Sequence, residues 1–319
     1  MITVMNAATN SMNERDLLNT VTRFALIGAL ALFVLAQLSA SAALVEANPL
    51  EPPAKGEIPV AFVISEGAVI IDFCGPWEVF RDVMVSGGDH PFRLYTVSDK
   101  TDPIHASGGM KIVPDYTFAN APAAKVIVIP AQSEPSAAML KWIRESTKNS
   151  DVTMSVCTGA FVLAKTGLLS GKSATTFHSA FNSFAMEFPD IKLKRGARFV
   201  ENGNLATAGG LSSGIDLALR VVERYYGRDV AQKTAYNMEY QGQGWMNPDS
   251  NQIYAAAPVS TAEHPLCPVC GMDVDVKTSP KSVYKGTTYY FCSDDDKKIF
   301  DSAPDKFVSA PEQKVAGQN

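Results

Sequence analysis

The sequence lacks any basic excess: 28 Lys and Arg residues stand against 33 Asp and Glu, a net charge of −5, and the cationic residues are scattered rather than striped. Binding to a polyanion needs clustered positive charge that displaces counterions, so nucleic acid is excluded as an expected partner. Long apolar runs are scarce as well. The longest, Phe24 to Ala36 (FALIGALALFVLA), is short for the roughly 20 residues that a bilayer requires. What is there excludes disorder of the chain as a whole: 46% of the residues are hydrophobic and 19% charged, over 319 positions. That is enough chain for one full core with something small beside it.

The apolar run follows Arg15 and Arg23 and precedes Ser39-Ala40-Ser41-Ala42, a small-residue site suited to cleavage after Ala42. Residues 1–45 are therefore expected to be a signal peptide or, if uncleaved and extended through Val45, a signal anchor. Either form places the rest in the periplasm or anchored to the cytoplasmic membrane with the domains outside. Residues 46–57, which include NPLEPPAKGE, form a Pro-rich linker.

Ile58–Ile64 (IPVAFVI), Phe92–Val97, Lys125–Ile129 (KVIVI) and Val152–Val156 are strand-length apolar runs. Continuous runs of this kind suit parallel strands covered on both faces. Helical segments are expected around Pro76–Val85, Pro135–Ser146 and Thr158–Leu169. The alternation predicts an α/β domain with a doubly wound, flavodoxin-like sheet over residues 58–240. Arg198–Ala208 carries an Asn202-Gly203 hairpin signal, and Ser212–Tyr226 reads as an amphipathic helix closed by Gly227. Residues 241–262 are polar and Gly/Pro-punctuated, and read as a domain tail merging into a linker.

Within DVTMSVCTGAFVLAKTGLL (Asp151–Leu169) a β-branched run ends at Cys157 and a small-residue helix begins at once. This is the pattern of a nucleophile elbow, in which unpaired N–H groups at the helix start favour a thiolate. The alternative is one more buried, inert cysteine.

Three ordered blocks carry a resemblance: Ile71-Asp72-Phe73-Cys74-Gly75-Pro76-Trp77-Glu78-Val79-Phe80, then Val156-Cys157-Thr158-Gly159-Ala160, then Gly167 to Thr176 (GLLSGKSATT). They resemble the PfpI/ThiJ-like class I glutamine-amidotransferase-like superfamily, closest to its isonitrile hydratase and AraC-regulator-associated branch. The resemblance implies that Cys157 is the nucleophile and Asp72 the acidic residue beside it. A carboxyl group there would hold a proton and act as acid or base. Thr158 would offer its backbone N–H to an oxyanion and its hydroxyl to the substrate, with Gly159 keeping the turn open. Where relatives carry Gly-Gly after the preceding strand, this chain has Ala131-Gln132, which keeps the backbone donors and narrows the pocket. His178 lies one position past the relatives' histidine and is weighed evenly between a base and a structural residue. Asp72 has the alternative of capping a helix that begins near Pro76. The resemblance also implies a homodimer, and no cofactor for this domain.

At the other end, Cys267-Pro268-Val269-Cys270 is a C-x-x-C knuckle, followed by Cys292. Short spacing lets two sulfurs face one ion. Ser282–Phe291 reads as a hairpin turning at Lys285-Gly286 that delivers Cys292, and Ser293 caps a helix. The segment resembles a YHS domain, a small module linked to heavy-metal handling, here an α+β unit over residues 263–310 with a tail at 311–319. In the place of a fourth cysteine stands Asp296, either a ligand or the capping partner of Ser293. Three thiolates, with Met272 or His264, suit Zn(II) or Cu(I). In an oxidising compartment Cys267 and Cys270 pair instead as a disulfide.

Two functional readings follow. One is an exported cysteine-dependent hydratase or hydrolase acting on a small electrophile, an isonitrile, amide or reactive carbonyl, with a fused metal-binding module. The other is a non-catalytic periplasmic protein that senses or binds redox species or heavy metal.

Overall fold

The computed structural model describes residues 48–256 and 260–308. The apolar run at Phe24–Ala36, with its expected signal or anchor role, lies outside them. Among the described residues no helix is long and apolar enough to cross a membrane.

The chain runs β1 (Ile58–Val63), α1 (Ile70–Asp82), β2 (Phe92–Ser98), β3 (Tyr116–Thr117), β4 (Val126–Ile129), α2 (Ala137–Thr147), β5 (Val152–Ser155) and α3 (Gly159–Lys165). It continues through α4 (Phe181–Glu187), β6 (Phe199–Asn202), β7 (Leu205–Ala208), α5 (Ser212–Tyr226) and α6 (Arg228–Asn237). One sheet takes the order β6-β7-β5-β4-β1-β2-β3. It is parallel except for the β6–β7 hairpin, which turns at Gly203, φ 64°. The order reverses direction at β1, as in doubly wound folds.

Both faces of the sheet are buried because successive residues of a strand point to opposite sides. On β1, Val60 and Phe62 join the core beneath α1 and α5, whereas Ala61 and Val63 join the core beneath α2, α3 and α4. Ser136 starts α2 by accepting from the Met139 N–H at 3.0 Å, which satisfies an otherwise unpaired donor.

Two differences from the sequence reading are physical. Helix α1 begins at Ile70, so Pro76 lies inside it and Asp72 in its first turn. Proline normally ends a helix, but here its ring packs on Gly214 of α5, and Gly75 packs on Ile215. Burial against α5 outweighs the local cost of about 3 kcal/mol. Asp72 therefore does not cap a helix starting near Pro76. The second difference concerns the expected linker from residue 241. Trp245 is 2% exposed and donates its N–H to Asp216 at 2.9 Å, and the Pro248 carbonyl accepts from the Arg198 N–H. A single buried tryptophan at low local hydrophobicity anchors this stretch to α5.

The C-terminal unit is a hairpin, β8 (Lys281–Tyr284) and β9 (Thr287–Tyr290), followed by α7 (Asp294–Ser302). Its turn uses Lys285 and Gly286 at positive φ. Among the described residues its fully buried apolar core is Cys267, Val274, Phe291 and Phe300, with half-buried side chains such as Tyr284, Tyr289 and Phe307 packed around them, a small core for a fold of this size.

Candidate active site and metal centre

The elbow is strained and locked. Cys157 sits at φ 58°, a region costly for a residue with a Cβ. Its N–H donates to the Gly209 carbonyl at 2.8 Å, and its own carbonyl accepts from the Thr176 hydroxyl at 2.9 Å. Only glycine fits the next turn, because a Cβ on Gly159 would run into the carbonyl oxygens of Ile129 and Pro130. The strand end, a glycine helix start and the two clamps together fix where the sulfur points.

Asp72, from α1, meets that sulfur. Its carboxylate is fully buried and accepts the Ala131 N–H at 3.2 Å, while its second oxygen has no hydrogen-bond partner. Burial pushes Asp72 up to about 6, against the pull of the Ala131 N–H and of Cys157. Burial likewise pushes the Cys157 thiol up to about 12, and the neighbouring Asp72 charge adds to it. The backbone N–H groups of Thr158 and Leu211 work the other way and lose. The expected thiolate preference from the helix start is thus overturned for the resting protein: α3 is seven residues long, and desolvation outweighs it. Between these two values the pair keeps one proton to share.

The remaining residues divide. Thr158 precedes α3 and lines a cleft of about 380 Å³ with Gln132, Phe161, Phe177, Cys270 and Met272. The Ala131 N–H is occupied by Asp72, so it is not a free oxyanion donor. Gln132 is tied back to the end of β1, donating to the Val63 carbonyl at 3.1 Å and accepting from Ser65 at 2.8 Å. His178 stacks on Tyr254 at 4.8 Å and lies edge-on to Phe177. Burial lowers its pKa. Among the described residues it makes no hydrogen bond to Cys157 or Asp72, so the structure does not bring it into the pair.

Leu211 went unread in the sequence. It holds a strained φ of 42° just before α5, and its backbone N–H works to lower the pKa of both Asp72 and Cys157. The signal was Gly209-Gly210, a pair that permits a tight approach: a Cβ on Gly210 would strike the Phe177 ring at 2.5 Å.

In the C-terminal unit the sulfurs of Cys267, Cys270 and Cys292 and a carboxylate oxygen of Asp296 lie within 4.8 Å of one another. All three cysteines are free, so the Cys267–Cys270 disulfide is not formed. Both the Cys267 and Cys292 sulfurs lie 3.2 Å from Asp296 Oδ2. Asp296 is placed for either role: its N–H is capped by Ser293 Oγ at 3.1 Å while its carboxylate turns to the sulfurs. Hydrogen bonding from Cys270 and the backbone N–H groups of Cys270, Cys292 and Val269 pull Cys267 down to about 6 against its burial. The shared proton raises Cys270 correspondingly. Three thiols and a carboxylate at this spacing fit a tetrahedral thiophilic ion, for which sulfur ligands at about 2.3 Å stand about 3.8 Å apart. His264 is outside the group, paired with Asp273 at 3.4 Å on the surface.

Comparison with known proteins agrees with both halves. The DJ-1/PfpI family matches residues 59–224 and the YHS domain residues 267–311. Isonitrile hydratase from Pseudomonas putida is 33% identical over 186 residues, covering 57% of this chain and 78% of its own. The HTH-type transcriptional regulator CdhR of Pseudomonas aeruginosa is 27% identical over 53% of this chain, which spans about half, 51%, of that regulator. Among solved structures, a ThiJ/PfpI family protein from Pseudomonas syringae superposes with a TM-score of 0.53 at 26% identity, over 60% of this chain and 78% of its own.

Proposed function

The chain belongs to the DJ-1/PfpI family, and on that premise we propose that it is a cysteine-dependent hydratase or hydrolase acting on a small electrophilic carbon, with an isonitrile the first candidate. The observation that carries the reading is the strained Cys157 elbow facing a buried carboxyl group with one unpartnered oxygen. For an isonitrile, the sulfur bonds to the terminal carbon while the shared proton passes by way of Asp72 to that same carbon, leaving a thioimidate. Water then adds, the carbon–sulfur bond breaks, the thiol regains a proton and an N-substituted formamide leaves. For an amide or reactive carbonyl, the developing oxyanion would face the Thr158 and Leu211 N–H groups.

The test is formamide production from a small alkyl isonitrile. Cys157→Ser is expected to lose about 10³-fold or more in turnover, and an unchanged rate overturns the reading. Export through residues 1–45, a homodimeric assembly and a resident Zn or Cu ion on Cys267, Cys270, Cys292 and Asp296 complete the proposal. When bound, that ion would cross-link the knuckle to the start of α7 and act as a structural staple.

A second reading has its own support. A thiol held at about 12 and 7% exposed is slow to react with electrophile and oxidant alike, which favours a non-catalytic protein in which the cysteine cluster of the C-terminal unit does the sensing or binding of redox species or heavy metal.

A further inference from the structure

The cleft at Thr158 is built by two parts of the chain. One side comes from the elbow, with Gln132, Thr158 and Phe161; the facing side includes Cys270 and Met272 of the metal knuckle. The knuckle rests on the start of α4. Ser183 Oγ donates to the Val269 carbonyl at 2.9 Å, and Gly271, at φ 77°, brings its backbone so close that a Cβ would stand 3.4 Å from both Asn182 and the Ser179 carbonyl. Within the knuckle, the Cys267 N–H donates to the Met272 carbonyl at 2.8 Å and the Gly271 N–H to the Cys267 carbonyl at 2.7 Å. The residue that lines the cleft is thus tied by its backbone to a metal-ligand candidate, and Cys270 belongs to both the cleft and the cluster.

Little else holds this turn in place. The fully buried apolar core behind it is small, four residues among those described with half-buried side chains around them, and three sulfurs and a carboxylate crowd together there. Without a cation such a group repels itself as its protons leave, whereas an ion would fix all four donors at once.

We propose that the Cys270–Met272 turn is a metal-set wall of the substrate cleft. A thiophilic ion on Cys267, Cys270, Cys292 and Asp296 holds Met272 against the elbow side and limits the size of the molecule that reaches Thr158 and Cys157. Cys157 itself does not line this cleft, but its chain neighbour Thr158 does, and we take that opening as the way to the sulfur, a step that rests on the proposed role of Cys157 as nucleophile. Coupling is reciprocal, so a compound that fills the cleft tightens metal binding by the factor that metal tightens its own.

Hydrogen exchange of the full chain with and without Zn(II) tests it without relying on turnover. Zinc is expected to slow exchange about 5-fold or more in residues 265–274 and, through the shared wall, in residues 158–165 and 179–187. The double variant Cys267→Ser/Cys292→Ser should show neither response. Protection confined to residues 265–274, or none at all, overturns the proposal. A second measurement compares a bulky maleimide with iodoacetamide at Cys157, scored by peptide mass. Zinc should lower the bulky-to-small rate ratio about 5-fold, and Ser183→Glu, which pushes the knuckle off α4, should abolish that change. An unchanged ratio also overturns it. A Cys157 inert to both reagents sinks the nucleophile reading instead, and the exchange result still decides the wall.

Discussion

Two places in this molecule gather thiols beside a carboxylate, and they treat sulfur in opposite ways. At the elbow, Cys157 is buried with Asp72 and its thiol is pushed up to about 12. In the knuckle, Cys267 is less exposed still, 1% against 7%, yet is pulled down to about 6. Burial opposes charge in both. The difference lies in the donors: each sulfur has a carboxylate nearby, but a neighbouring thiol and three backbone N–H groups surround Cys267, whereas two backbone N–H groups at Cys157 do not offset its burial and the Asp72 charge. The knuckle is not uniform: Cys267 gives up its proton readily, whereas Cys270 is raised by its hydrogen bond with Cys267 and Cys292 is pushed up to about 11 by burial, so an incoming cation must displace the protons of those two. The elbow is prepared to keep one proton until a substrate takes it.

The strongest way to break the comparison is to set the chelated chain against the zinc-loaded one. Chelation should unfold residues 260–308 while the sheet domain keeps its melting transition, because apparent binding energies of about 10 kcal/mol are folding energy for such small modules. A module that stays folded after complete metal removal, by far-UV dichroism and exchange, would make the two sites alike, both simple protein thiols.

Asp72→Asn is next. A neutral amide escapes the burial of charge, so the variant should be more stable by about 2 kcal/mol near pH 8. The sign follows from the raised value: the native carboxyl is no burden below its unfolded value of 3.8 and becomes one as pH rises through about 6. The gain should therefore vanish below about pH 4 in chemical denaturation. Activity should move the opposite way. The native rate is expected to rise through an apparent value near 6 as the pair loses its second proton, and the variant should lose that limb. A variant no more stable at pH 8 than at pH 4 would remove the buried-charge account of the elbow.

The smallest effect sharpens the knuckle. Asp296→Asn keeps the shape and the Ser293 cap but removes the anionic donor, so zinc affinity should fall about 10-fold, roughly 1.4 kcal/mol, with no change at Cys157. Equal affinity would leave Asp296 as a helix-start residue and the site with three ligands.

Much of the fold was legible because its signals are local. The β1, β2, β4 and β5 runs, the β6–β7 hairpin and α5 at Ser212–Tyr226 stand where the residue patterns put them. Helix α1 was misread because Pro76 is a strong local signal, while the contacts that override it come from Gly214 and Ile215. Trp245 was overlooked for the same reason, since its partner Asp216 is on α5. At the sites, Cys157, Thr158 and the C-x-x-C spacing were visible, but Leu211 acts through its backbone, which side-chain chemistry does not advertise.

The sequence by itself determined the strands, the strand-to-helix elbow, the C-x-x-C spacing and the division into a large α/β domain and a small cysteine unit. Each depends on neighbours a few residues away. The family resemblance put Asp72 beside Cys157, but tertiary structure alone decided that Gly159 is obligatory, that Asp296 turns to the sulfurs, that His178 stacks on Tyr254, and that the knuckle lines the cleft. It also decided the protonation of each thiol, because desolvation and charge sum over groups brought together from distant parts of the chain.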